Sequence, residues 1–172
     1  REYARLVQAL RAELEHFHQT RLIQHGLGIG RTHHTGDATG HRGSHFGFQN
    51  HALFTRRGGQ GSPLLLVHGF PTSSFDWAPV WPELSKGREL HALDMLGFGL
   101  SDKPQDYPYS IHASADQWQA YVQDRQLTDV AILAHDYGNT VAQELLARQQ
   151  EGRLPFRIRK IIFLNGGLFP EA

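Results

Sequence analysis

An apolar run, Val130-Ala-Ile-Leu-Ala-His-Asp-Tyr-Gly-Asn-Thr-Val-Ala-Gln-Glu-Leu-Leu-Ala147, turns over between Ala134 and Gly138 and continues with helical spacing, leaving Asp136 at the apex of the turn. Buried strand, small residue, variable residue, candidate nucleophile, one more residue, glycine and helix form the layout of a nucleophile elbow. The sharp turn lifts the middle side chain off the sheet, and the following helix aims its free N–H groups at it. Ala134 and Gly138 are the positions where a larger side chain would collide with the turned backbone. Because the middle residue is Asp, the chemistry changes: a carboxylate is ionised at neutral pH and needs no base to attack a saturated carbon. The product would be an alkyl ester, which water then hydrolyses with the help of a general base, usually His. The competing reading of the same residues is that Asp136 caps the helix Asn139 to Gln150.

The elements around this turn follow from periodicity. Leu64 to Val67 is a continuous apolar run bounded by Pro63 and His68-Gly69, as expected of a central parallel strand covered on both faces. His68-Gly-Phe-Pro71 then makes a tight turn, with Gly69 supplying conformational freedom and Pro71 fixing the exit. If this turn lies beside the elbow, the N–H groups of Phe70 and Tyr137 together can hold a developing oxyanion. Asp76 to Ser85 reads as a short helix with Trp77, Val80, Trp81 and Leu84 on one face. Glu89 to Leu93 reads as a strand, and Asp94 to Pro104 as a glycine-punctuated loop. Ser110 caps a helix whose buried face includes Ile111, Ala115, Trp118 and Val122. Arg157 to Leu164 is a last strand, ending at Asn165-Gly-Gly. Strand and helix alternate from Leu64 onward, which argues for a parallel sheet with right-handed crossovers. His68-Gly69, Asp94 and Asp136 all fall at strand carboxyl ends, where such sheets bind ligands.

The first 45 residues read differently. Tyr3, Leu6, Val7, Leu10, Leu14, Phe17 and Leu22 recur at helical spacing, marking an amphipathic helix from Arg1 to about Leu22 that packs on another surface. Gly26 to Gly47 lacks periodicity and reads as an irregular connection. Gly26-Leu-Gly28-Ile-Gly30 lacks the leading strand and glycine spacing of a dinucleotide loop. His33, His34, His41 and His45 have no carboxylate or cysteine at ligand spacing, so no metal site is expected. Phe46 to Asn50 and Ala52 to Arg57 read as a hairpin, followed by a breaker from Arg57 to Pro63. The domain division is therefore 1–45, a helix and irregular connection, and 46–172, an α/β unit.

At 172 residues the chain suffices for about one domain. Its 17 basic and 17 acidic residues balance, which argues against nucleic acid as a partner. Without cysteine there is no disulfide and no thiol chemistry. No stretch approaches the ~20 apolar residues of a membrane span, and no signal peptide is recognisable, so a cytoplasmic location is the default expectation. The chain begins with Arg, so its amino end is not expected to be the start of the gene product.

Four ordered motifs carry a resemblance: His68-Gly-Phe-Pro-Thr-Ser-Ser-Phe-Asp-Trp77, Leu93-Asp-Met-Leu-Gly-Phe-Gly-Leu-Ser-Asp-Lys-Pro104, His135-Asp-Tyr-Gly138 and Asn165-Gly-Gly-Leu-Phe-Pro-Glu171. From about Phe46 onward the chain resembles the α/β-hydrolase fold, in the branch of epoxide hydrolases and haloalkane dehalogenases. The resemblance implies Asp136 as nucleophile and the N–H groups of Phe70 and Tyr137 as oxyanion hole. It also implies Trp77 and Asn165 at the substrate pocket, and structural roles for His68, Gly69, Asp94, Gly97, Gly99, Ser101, Gly138 and His135. It implies a small apolar substrate and no metal or organic cofactor, and leaves the oligomeric state open. Dehalogenases generally place Trp after the nucleophile; Tyr137 stands there, so the likeness leans toward epoxide hydrolases. The family's catalytic acid and histidine follow a helical cap, and none of the 12 histidines lies beyond His135. The chain is thus expected to be an amino-terminal part without cap, last strands or general base, showing little or no turnover alone. A dehalogenase, or a non-catalytic binding protein on the same fold, is the alternative.

Overall fold

The computed structural model of the chain describes residues 42–166. Six strands form one sheet in the order β1-β2-β4-β3-β5-β6. They are β1 (Arg42–Phe48), β2 (His51–Gly59), β3 (Ser62–Val67), β4 (Arg88–Leu93), β5 (Asp129–His135) and β6 (Arg157–Leu164). The β1–β2 hairpin is antiparallel and β2 runs antiparallel to β4, whereas β4, β3, β5 and β6 are mutually parallel. Helix α1 (Trp81–Leu84) follows a 3₁₀ turn at Ser74–Trp77; α2 (Ile111–Asp124) and α3 (Tyr137–Gln150) complete the layers.

The apolar runs explain the layering, because successive side chains of a strand face opposite sides. Leu65 and Val67 of β3, with Val130, Ile132 and Ala134 of β5, pack under α2 and α3, where Ala115, Trp118, Val122, Val141, Ala142 and Leu145 are buried. Leu64 and Leu66, with Leu90, Ala92 and Leu133, pack on the other face against Trp77, Trp81 and Leu84. Fully burying one such side chain contributes about 1.5–3 kcal/mol.

This arrangement places a crevice. After β3 the chain crosses to β4 with its helical turns on one face; after β4 it crosses back over β3 to β5 with α2 on the other. The direction of winding reverses between β3 and β5, and ligands of parallel sheets bind beyond the carboxyl ends of the strands at such a point. The residues there are His68 to Phe70 after β3 and Asp136 after β5.

Several expectations need correction. β1 begins at Arg42, inside the stretch read as irregular, so the division at residue 45 cuts a strand. Only Phe46 and Phe48 of β1 are buried apolar residues, and its strand character comes from backbone pairing with β2. β2 runs through Gly58 and Gly59, read as a breaker, because both pair with β4. The helix expected over Asp76 to Ser85 is two short turns. Pro79 has no N–H to extend the 3₁₀ turn, and Pro82 fits only the first turn of α1. α3 starts at Tyr137, two residues before the expected Asn139. The expected helix of Arg1 to Leu22, the Gly26 to Gly30 motif, His33, His34 and His41 lie outside the described residues; His45 is exposed on β1.

Candidate active site

Asp136 joins β5 to α3 with φ 51° and ψ −120°, a left-handed conformation that strains a residue with a Cβ. Its side chain makes no capping bond to the helix it precedes, contrary to the capping alternative. Instead, Asp136 Oδ1 accepts a 2.8 Å hydrogen bond from the backbone N–H of Phe70, in the turn after β3. The elbow is tied to β6 as well, since the N–H of Asp136 donates to the carbonyl of Leu164 at 3.2 Å.

Small residues make this approach possible. A Cβ at Gly138 would lie 2.5 Å from the carbonyl oxygen of Val67 and 2.6 Å from that of His68. One at Gly69 would lie 2.6 Å from Asp136 Cβ and 3.1 Å from Nδ1 of His135. The two turns are pressed together, bringing the Phe70 N–H to the carboxylate. Tyr137 N–H is the first of α3 and has no acceptor within the helix, as at every helix start.

His68 is fully buried with both ring nitrogens committed: Nδ1 lies 2.8 Å from the carbonyl of Gly69 and Nε2 accepts from Met95 N–H at 3.1 Å. That pair of bonds requires the neutral ring with its proton on Nδ1. Burial pushes its pKa down, outweighing the upward pull of Asp94, the Gly69 carbonyl and Asp76. The loop after β4 is also held by polar bonds. Asp94 accepts from the N–H groups of Ser74 (2.7 Å) and Leu100 (2.8 Å), Ser101 Oγ donates to Asp94 O, and a Cβ at Gly99 would strike Asp94 Oδ2 at 1.9 Å. Gly97, at φ 90°, faces the Tyr109 ring.

A cavity of about 620 Å³ adjoins the elbow, with Phe70, Leu96, Phe98, Ile111 and Tyr137 among its walls. Asp136 is half-buried beside this cavity's walls without itself forming one of them. Trp77, expected at the pocket, lies elsewhere: it is fully buried with Leu64 and Leu66 on the opposite face of the sheet. Asn165 is exposed at the end of β6 with φ 41°, and is not a wall residue of this cavity.

Two contributors escaped the sequence reading. Asn139 is buried and its Nδ2 donates to the carbonyl of Leu164 at 3.1 Å, the same oxygen that receives the Asp136 N–H. Its spacing, three residues past Asp136, is a usable signal, because that residue sits one turn above the elbow. Ser114, on α2, places Oγ 3.1 Å from the Tyr137 hydroxyl, a contact between distant segments with no local signature.

Among known proteins, the chain is similar to the bovine (Bos taurus) mesoderm-specific transcript homolog protein, 46% identical over 120 residues covering 65% of this chain and 35% of that protein. It is also similar to LipZ of Mycobacterium tuberculosis, 43% identical over 120 residues, 69% of this chain and 41% of that protein. Among solved structures, the haloalkane dehalogenase DatA of Agrobacterium tumefaciens superposes with a TM-score of 0.64 at 27% identity, covering 74% of this chain and 42% of that one. The chain thus spans about two-fifths of the length of these proteins. Residues 62–172 match the family model described as alpha/beta hydrolase fold. With the sheet order, the reversal of winding at β3 and the strained turn after β5, this match makes the chain a member of the alpha/beta hydrolase fold family.

Proposed function

We propose that the chain is part of a hydrolase in which Asp136 attacks a saturated carbon of a small apolar substrate, an epoxide in the first instance, to form an alkyl ester as the ring C–O bond breaks and the released alkoxide takes a proton from water. One observation carries this reading: Phe70 N–H holds Oδ1 of a carboxylate set at a strained apex and making no capping bond. The two oxygens thereby differ in role. Oδ1 stays with its donor while Oδ2 forms the bond to carbon. When water later attacks the ester carbonyl, the same N–H, joined by that of Tyr137, meets the negative charge that develops on the oxygen. The cavity's apolar walls support an apolar substrate.

His68 cannot take up a proton at Nε2, its basic nitrogen, without giving up the bond it accepts from Met95 N–H. We infer that the base and the second carboxylate belong to the complete protein outside this chain, so that ester would accumulate instead of turning over. Incubation of the 172-residue chain with styrene oxide should add the mass of one epoxide, mapped by peptide fragmentation to Asp136. Asp136→Asn should abolish the adduct. An unmodified chain, or an adduct on another residue, would overturn the reading and favour a non-catalytic binding protein.

The likeness to a haloalkane dehalogenase structure supports a second substrate class. Stoichiometric bromide release from 1-bromobutane, with the butyl group on Asp136, would favour it. Tyr137 in the position where dehalogenases generally carry Trp supports the epoxide instead.

A further inference from the structure

We propose that the hydroxyls of Tyr137 and Ser114 form a single hydrogen-bonding unit that recognises an acceptor oxygen on the substrate, making this pocket selective for apolar molecules carrying one such oxygen. The inference rests on the reading of Asp136 as nucleophile only for the word substrate; the recognition itself is a binding property.

Most polar groups in the cavity wall already have partners for their protons. Lys103 lines the cavity, but its ammonium group donates to the carbonyls of Gly99 and Ser101, each at 2.9 Å, and approaches that of Phe98 at 3.5 Å. Tyr109 donates its hydroxyl to the Pro104 carbonyl at 2.8 Å. Ser110 Oγ accepts from Ala113 N–H at 3.1 Å as the cap of α2 and, being exposed, leaves its own proton to water. What remains is the pair Ser114 and Tyr137, whose oxygens are 3.1 Å apart.

Between them the two hydroxyls carry two protons. One lies in the bond they share, and neither hydroxyl has another partner among the described residues. The second proton is therefore available to the cavity. Ser114 is buried on α2 and Tyr137 is half-buried next to Asp136, so the pair is held by two elements packed on one another. Leu96, Phe98, Phe70 and Ile111 around it offer no side-chain acceptor. A hydroxyl proton in such surroundings gains by meeting an acceptor, and a ligand lacking one leaves it unsatisfied. An ether or epoxide oxygen fits, because it accepts and cannot donate.

Two ligands of nearly the same shape test this. Styrene oxide carries the acceptor oxygen; phenylcyclopropane replaces it with a methylene. Binding to the 172-residue chain is measured by ligand-observed NMR titration, fast enough to precede alkylation, with folding of each variant checked by circular dichroism. The parent chain should bind styrene oxide about fivefold more tightly, the worth of one hydrogen bond of about 1 kcal/mol. The double variant Tyr137→Phe/Ser114→Ala, which removes both hydroxyl protons, should bring the ratio close to one, whereas either single variant keeps one hydroxyl proton and should keep the ratio above one. Equal binding of the two ligands by the parent chain, or an unchanged ratio in the double variant, would overturn the proposal. Discrimination without an adduct on Asp136 would leave this inference standing while removing the nucleophile, and an adduct without discrimination would do the reverse.

Discussion

Gly138 shows what the elbow demands of single residues. Its neighbours are backbone oxygens of β3 and the following turn, which cannot rotate away as a side chain can. Gly138→Ala should therefore destabilise the chain by roughly 3 kcal/mol, the upper part of the range for overpacking, read as a lower urea midpoint. Gly47 is the control. A Cβ there meets nothing within 4 Å and its φ is not left-handed. Gly47→Ala should leave stability unchanged or raise it by about 0.5 kcal/mol through the unfolded chain. If Gly138→Ala matched the parent, the close approach of elbow and β3 would be wrong, and with it the reach of Phe70 N–H to Asp136. The strain at Asp136, of order 1–3 kcal/mol, is sustained by that same packing and by bonds from the Asp136 N–H and the Asn139 side chain to Leu164. The geometry of Asp136 is thus set by the residues packed around it.

Among the elements, α2 links the capping chemistry to the pocket. Ser110 has extended dihedrals, φ −157° and ψ 166°, and its Oγ accepts from Ala113 N–H. One turn later the same helix presents Ser114 to Tyr137. Ser110→Ala should lower stability by about 1 kcal/mol and Ser110→Asp should recover it, measured as thermal midpoints; equal midpoints for all three would remove the cap as an anchor of the pocket wall. This helix was legible in the sequence because a cap residue and an apolar face agreed. So were β3, β5 and β6, whose apolar runs admit few other readings. What failed had identifiable causes. Gly43, His45 and Gly47 gave β1 the composition of a loop, although its partners are backbone groups of β2. Gly58 and Gly59 hid the end of β2, where a Cβ on Gly59 would come within 2.2 Å of the Arg88 carbonyl oxygen, so that close backbone pairing requires glycine. Trp77 was assigned to the pocket by resemblance, and the helical turns after β3 carry it to the opposite face. At the site, Asp136 and the two turns could be read from spacing, whereas Ser114 and Asn139 depend on which helices meet.

For the molecule as a whole, buried histidines set the response to acid. His91 is fully buried on β4, with Nδ1 3.0 Å from the Tyr121 hydroxyl and Nε2 3.6 Å from Glu89 Oε1. Burial pushes its pKa down to about 4, helped by Arg57 and Arg125 and opposed by Glu89. His68 is lowered in the same direction by burial. In the unfolded chain an ordinary histidine titrates near 6.5. Between that value and about 4 the unfolded chain binds more protons than the folded one, so stability rises with pH. The contribution of His91 is fully present above about 6.5 and is lost as the pH falls toward 4, amounting to about 3 kcal/mol at most. Carboxylates act lower on the scale. Asp129 is held below its ordinary 3.8 by the hydrogen bond from Arg159. Burial alone would raise Glu144, but bonds from Arg148 and His112 outweigh it and hold it below its ordinary 4.5. Their contributions are present above those ordinary values and fade only below them. The interval from about pH 6.5 to 4.5 therefore isolates the histidines. Urea midpoints should fall across that interval for the parent chain and fall clearly less for His91→Gln, which keeps a polar group beside Tyr121 but cannot titrate. Parallel curves for the two proteins would move the acid sensitivity away from His91, with His68 in the turn after β3 as the next residue to substitute.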